Sequence, residues 1–198
     1  MKTRHLHLKP GLIAAAAAIT LAACAGGTTV SRDSVDPSYL PEELYVVATG
    51  ENELRTIIVG DPFGVPAETF QSAVIASLEG RNFGPRLNLS TDPKTEDRRK
   101  RQVVLAFNPT DVSQADDLCA GSADTANIAD TGGSLTVTGV YCAGDLHLTQ
   151  ATARASGVSG TDTAQFRQLM TQLAIALFPD QNPHRRLDGP DITPLSSL

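Results

Sequence analysis

The stretch Leu135-Thr136-Val137-Thr138-Gly139-Val140-Tyr141-Cys142, continued through Ala143-Gly144 into Asp145-Leu146-His147-Leu148-Thr149-Gln150-Ala151-Thr152-Ala153, decides the fold. Branched, aromatic and aliphatic residues alternate with Thr and Gly on both sides of a Gly-containing break, which predicts two antiparallel strands joined by a tight turn. In the register that a turn at Ala143-Gly144 sets, Tyr141 faces Leu146 and Gly139 faces Leu148 on an apolar face. Val140 then faces His147, and Thr138 faces Thr149, on the other. An apolar sheet face needs a covering layer, and one stands just downstream. Phe166, Leu169, Met170, Leu173 and Leu177 recur at three- and four-residue spacing and share one helix face. Asp162 with Gln165 three residues later reads as the cap of that helix, and Pro179 as its stop.

Upstream, residues 43–49 and 54–60 are apolar or β-branched runs separated by Gly50-Glu51-Asn52-Glu53, which reads as two strands around a hairpin-like break. Residues 61–64 form a turn cluster. Pro66 then opens a helix with Phe70, Ala73, Val74 and Leu78 on one stripe, stopped by Gly80. Residues 102–107 include Val103-Val104-Leu105-Ala106-Phe107, a strand buried on both faces, and a right-handed crossover from the strand before the helix is the default. The expected order is ββαβββα: an α+β chain forming a two-layer α/β sandwich, with about five strands in one mixed sheet and two amphipathic helices. Two connections, 81–101 and 108–134, exceed the loops of most compact domains and are the expected contact surfaces.

The two ends of the chain differ in composition from this core. Residues 25–41 are Gly, Thr, Ser, Asp and Pro with little apolar content, and are expected to form a flexible tether. Residues 179–198 are polar and Pro-rich and read as a loosely held tail. The first 23 residues hold Lys2, Arg4 and Lys9 without an acid, then an Ala-rich apolar run about half the length a membrane span needs. That is the composition of a secretory leader.

The leader ends in Leu21-Ala22-Ala23-Cys24, which resembles the lipobox of bacterial lipoprotein precursors. The resemblance implies diacylglyceryl transfer to the Cys24 thiol, cleavage before it and acylation of the new amine, so that more than one acyl chain anchors the protein stably. The plain alternative is a secreted protein with a chance cysteine at the cut. Ala25 is not Asp, which by the enterobacterial sorting rule implies the outer rather than the inner membrane. Gly60-Asp61-Pro62-Phe63-Gly64 and Asn82-Phe83-Gly84-Pro85-Arg86 also look like stretches of small Gram-negative envelope lipoproteins, a resemblance that brings no activity with it.

Removal of residues 1–23 leaves 175 residues, enough for one domain with a core, expected over 43–178, and a net charge of −9. Such an acidic product has no electrostatic case for nucleic acid and is repelled by anionic lipid head groups. With Cys24 consumed by lipid, Cys119 and Cys142 remain as an even pair in an oxidising compartment, and a disulfide is expected. Free thiols or a metal site are the alternatives, the latter disfavoured because no His or Cys lies at ligand spacing.

Chemistry-bearing motifs are otherwise absent: there is no His-Glu-x-x-His, Cys-x-x-Cys, Gly-x-Ser-x-Gly or phosphate-cradling loop. Gly157-Val158-Ser159-Gly160 is the nearest approach to a serine elbow and reads better as the loop before the last helix. His147, with Asp145 two residues away, is a candidate base without an evident nucleophile, and His184 sits in the polar tail. The run Arg98-Arg99-Lys100-Arg101 is the strongest charge feature. It reads either as a contact for phosphates or an acidic partner, or as a solvated loop pairing with Asp92, Glu96 and Asp97. No catalytic residue, metal or cofactor is expected. The sequence points to a non-enzymatic, lipid-anchored periplasmic domain that binds an envelope protein. A subunit of a transport, lipid-trafficking or secretion complex is the first alternative, and a cell-wall or lipid hydrolase the second.

Overall fold

The computed structural model describes residues 27–49, 52–95, 100–110, 115–122 and 133–185. Along the chain lie β1 (Thr28–Val35), α1 (Glu43–Val47), β2 (Leu54–Val59), α2 (Ala67–Leu78) and β3 (Leu89–Ser90). They are followed by β4 (Arg101–Phe107), α3 (Ala115–Ala120), β5 (Ser134–Ala143), β6 (Leu146–Ser156) and α4 (Ala164–Leu177). The six strands form one mixed sheet in the order β1-β6-β5-β4-β2-β3. β2 runs parallel to both β3 and β4, and the remaining pairs are antiparallel. The fold is α+β, a two-layer sandwich.

The main core lies between the sheet and α2 and α4. Leu135, Val137 and Tyr141 of β5 and Val103, Leu105 and Phe107 of β4 meet Phe70, Val74 and Leu78 of α2. The same layer holds Phe166, Leu169, Met170, Leu173 and Leu177 of α4. Each of those five α4 side chains is fully buried, as their spacing predicts. Alternate residues of the same strands point the other way. Val104, Ala106, Val140 and Cys142 form a smaller cluster under Ala115, Leu118 and Cys119 of α3. The run 103–107 is apolar throughout because both faces are covered.

Gly139 explains how close α4 comes to the sheet. A Cβ added there would lie 3.2 Å from Leu177 Cδ2, 3.4 Å from Leu105 Cδ2 and 3.5 Å from Leu173 Cδ1. Its partner across the β5–β6 ladder is Ala151, followed on the same face by Ala153 and Ala155, all buried. Small residues on the sheet leave room for the leucines of the helix.

Several expectations are corrected. Residues 43–47 are helical rather than a strand: Leu44 and Val47, three apart, are buried while Tyr45 and Val46 are exposed, which is a helix period. The β5–β6 turn is Gly144-Asp145, with Gly144 at φ 60°, so Ala143 pairs with Leu146 and Cys142 with His147. A bulge then places Tyr141 opposite Thr149 and Gly139 opposite Ala151. The bulge re-phases β6, so Thr149 rather than a polar-face position lies in the core, where its Oγ1 donates to Leu177 O at 2.6 Å. The cap of α4 is Thr163, whose Oγ1 accepts from Phe166 N at 3.2 Å, one residue later than Asp162.

The described parts of the two end segments, residues 27–41 and 179–185, are more ordered than their composition suggests. β1 occupies much of the segment read as a tether. It is a polar edge strand, secured by backbone pairing with β6 and by side chains that a hydropathy reading discounts. Arg32 Nε donates to Ala176 O at 3.1 Å, near the C-terminus of α4. Asp33, at the β1 bulge, accepts from Ser31 Oγ and Thr152 Oγ1, both at 2.6 Å. The tail is docked through residue 185. Buried Asn182 donates through Nδ2 to the carbonyls of Asp36, Pro37 and Tyr39, and Tyr39 OH donates to Pro179 O at 2.8 Å. Cys24 and residues 186–198 lie outside the described residues.

Candidate functional site

Two groups of polar side chains stand out, and both gather at one end of the sheet, where β4 begins and the β5–β6 hairpin turns. The first surrounds the expected basic run. Arg98 and Arg99 lie outside the described residues, whereas Lys100 and Arg101 enter β4. Lys100 sits at φ 52°, and its carbonyl accepts from Gly144 N at 3.0 Å, so the hairpin turn holds it in a conformation that a side chain resists. Arg101 turns to the helical face, where Nη2 and Nε donate to Glu43 Oε2 at 2.8 and 3.3 Å. Both side chains of that pair are mostly buried.

A cavity of ≈ 260 Å³ opens beside them, lined by Glu53, Arg55, Pro93, Lys100, Arg101, Gln102, Gly144 and Asp145. Among the described residues three cations face two acids there, and Arg101 is already engaged by Glu43, so the described charges are close to balanced.

The second group surrounds His147. Its ring Nδ1 lies 2.7 Å from Asp116 Oδ1, and its backbone N–H donates to the same oxygen at 2.8 Å. The carboxylate partner is thus Asp116 of α3 and not Asp145. These bonds, backbone first, hold the Asp116 carboxyl below its usual value. Nearby Asp36 is also lowered, chiefly by bonds from the Ser38 hydroxyl and backbone N–H. An Asp-His pair can take a proton, but among the described residues no hydrogen bond joins the ring to a hydroxyl or thiol. Cys142, opposite His147 on β5, is in disulfide linkage with Cys119, Cα to Cα 5.7 Å. Gln102 Nε2 donates to Cys119 O at 2.9 Å. The disulfide, the Asp116–His147 contact and Gln102 together fasten α3 to the sheet, so the histidine has a structural task.

The remaining candidates are scattered. Ser159 is exposed in the loop before α4, and His184 is exposed in the docked tail, where its N–H donates to Asn182 Oδ1 at 2.9 Å. Among the described residues no three His, Cys, Asp or Glu side chains gather as metal ligands, and no helix is long and apolar enough to cross a membrane.

Exposed apolar side chains stand at the same end and belong to no sequence motif. Among the described residues six large apolar side chains are exposed, and four belong here: Tyr45 and Val46 of α1, Phe83 after α2, and Leu146 at the hairpin. The signal available in the sequence was the pair Tyr45-Val46, which a strand reading places in the interior. No family model, curated protein or solved structure matches the chain.

Proposed function

We propose that the protein is a lipid-anchored periplasmic domain, held at the outer membrane through acylated Cys24, that acts as a non-enzymatic binding module for an envelope protein. The observation that carries this reading is the division of the three cysteines. Cys119 and Cys142 are joined to each other, which leaves Cys24, at the end of a lipobox-like leader, as the unmatched one. A disulfide agrees with an oxidising compartment outside the cytoplasm. Two or more acyl chains on Cys24 would hold the domain beside the membrane and raise its effective concentration at a partner there. The binding role is favoured over catalysis because the Asp116–His147 pair serves to hold α3, and four of the six exposed large apolar side chains among the described residues lie at one end.

Replacing Cys24 by Ser is expected to move the protein from the membrane fraction to the soluble periplasmic fraction and to remove the acyl mass from the N-terminal peptide. Retention in the membrane with Ser at 24 would show that the anchor lies elsewhere.

A further inference from the structure

We propose that α3 is a proton-released flap: in acid the Asp116–His147 contact opens, α3 swings on its disulfide, and the outer face of the sheet beneath it is uncovered. The proposal is independent of the anchor at Cys24.

α3 packs against β4, β5 and β6. It has six residues, too few to persist as an isolated helix, so its contacts alone keep it in place. Those contacts divide along its length. On its C-terminal side Cys119 is bonded to Cys142 of β5, and the Cys119 carbonyl accepts from Gln102 Nε2 at 2.9 Å. Nearer its start, Asp116 Oδ1 accepts from the backbone N–H and the ring Nδ1 of His147, at 2.8 and 2.7 Å. Ala115 and Leu118 are buried over Val104, Ala106 and Val140. The disulfide side acts as a hinge that does not titrate. The Asp116 side is a latch that does, and its side chain, 52% exposed, is open to protons from solvent.

The geometry also says which group opens the latch. Both bonds end on one carboxylate oxygen, so the ring must carry a hydrogen on Nδ1, as it can in the neutral and the charged state alike. Protonation of the ring therefore leaves the latch closed, and protonation of the carboxyl weakens both bonds. The backbone bond, then the ring bond, hold the Asp116 carboxyl below its ordinary 3.8. A lowered value means that the contact supports the closed form in full above pH 3.8 and stops doing so as pH falls through the lower value.

A second carboxylate acts on the same ring. Asp36 follows β1, its N–H donates to Leu148 O at 2.8 Å, and its charge is felt by His147 and Asp116. In acid both carboxylates lose their charge while the imidazolium keeps its own, which leaves a cation without its counter-charges. From the other strands that α3 touches, β4 presents Gln102 and β5 the bonded Cys142, neither of which titrates. Asp117 of α3 and Asp145 of the hairpin turn complete the ionisable side chains alongside. Opening would uncover Val104, Ala106 and Val140, next to partly buried Val59.

Amide exchange of the full chain, followed by mass spectrometry and corrected for the intrinsic pH dependence of exchange, tests this. Between about pH 6 and about pH 3 the protection of residues 115–120 should fall about fivefold, the scale of charge-assisted hydrogen bonds at a half-exposed site. β4 and β5 should keep theirs. Unchanged protection of α3, or loss in β4 and β5 at the same pH, would overturn the flap. Asp116→Asn keeps an acceptor that cannot titrate, so its α3 should respond equally at both pH values. A pH response that survives in this variant would rule out Asp116 as the trigger. His147→Asn keeps the backbone donor and offers a side-chain N–H without an ionisable ring, so the response should persist. Its disappearance there would make the ring the trigger and refute the assignment to the carboxyl. Protection of β4 and β5 at about pH 6 verifies that each variant is folded.

Discussion

Single residues set how tightly the two layers close, and their consequences are sharp. Gly139 is legible in the sequence as a glycine on the apolar face of a strand, but the reason for it is not, because that needs the positions of Leu105, Leu173 and Leu177. Gly139→Ala should destabilise the fold by about 1–3 kcal/mol, as overpacking a filled core does, read as a lower urea midpoint at unchanged slope. Tyr39 is a second case. It is fully buried, edge-on to Tyr141 with ring centroids 6.3 Å apart, and its hydroxyl donates to Pro179 O. Burial pushes its pKa well above the ordinary 10.0. A raised value means that the fold favours the neutral phenol. The contribution is therefore present in full below pH 10 and is lost above it, as the unfolded chain ionises first. Tyr39→Phe should remove a late component of the alkaline absorbance titration and cost about 1 kcal/mol at neutral pH. Nothing in Ser38-Tyr39-Leu40 announces this, since the acceptor lies 140 residues away.

Elements with a strong period were readable, and those held by something other than period were not. α2, α4, β2, β4 and the β5–β6 hairpin follow from apolar spacing and turn residues. β1 shows no buried stripe, and α3 has six residues; each persists through partners that only the fold assembles. For α3 these are the disulfide, Gln102 and the Asp116–His147 contact. The hairpin was found with its faces correct on β5 and its register wrong, since a bulge changes which β6 residues face the core without changing the pattern that reveals a strand. Changing Cys119 and Cys142 together to Ala should cost roughly 3 kcal/mol in thermal or denaturant unfolding, the chain-entropy value for a loop of this size. Amide exchange should rise first in α3, while β4 and β5 keep their protection. Loss of protection across the whole sheet would mean that the disulfide supports the main core as well.

Across the whole molecule, the sequence reading of an α+β two-layer sandwich is what the chain adopts, and β1 and Asn182, outside the stretch 43–178, also pack into it. The candidate site was only half legible. The basic run draws attention to the end of the sheet where β4 begins; Arg98 and Arg99 lie outside the described residues, the described charges there are nearly balanced, and the exposure of Tyr45 and Val46 follows only from the helix at 43–47. The domain's extent carries a further consequence. β1 pairs with β6 about 120 residues later, and Asn182 holds the segment just after β1. Contacts so distant along the chain slow folding, so refolding from denaturant should take milliseconds to seconds rather than microseconds, measurable by stopped-flow tyrosine fluorescence. The sheet also cannot be completed until nearly the whole polypeptide has been made. On the proposed reading of residues 1–24 as a lipoprotein leader, the chain would thread an export channel unfolded, and that delay would keep its first strand waiting for its last until the far side.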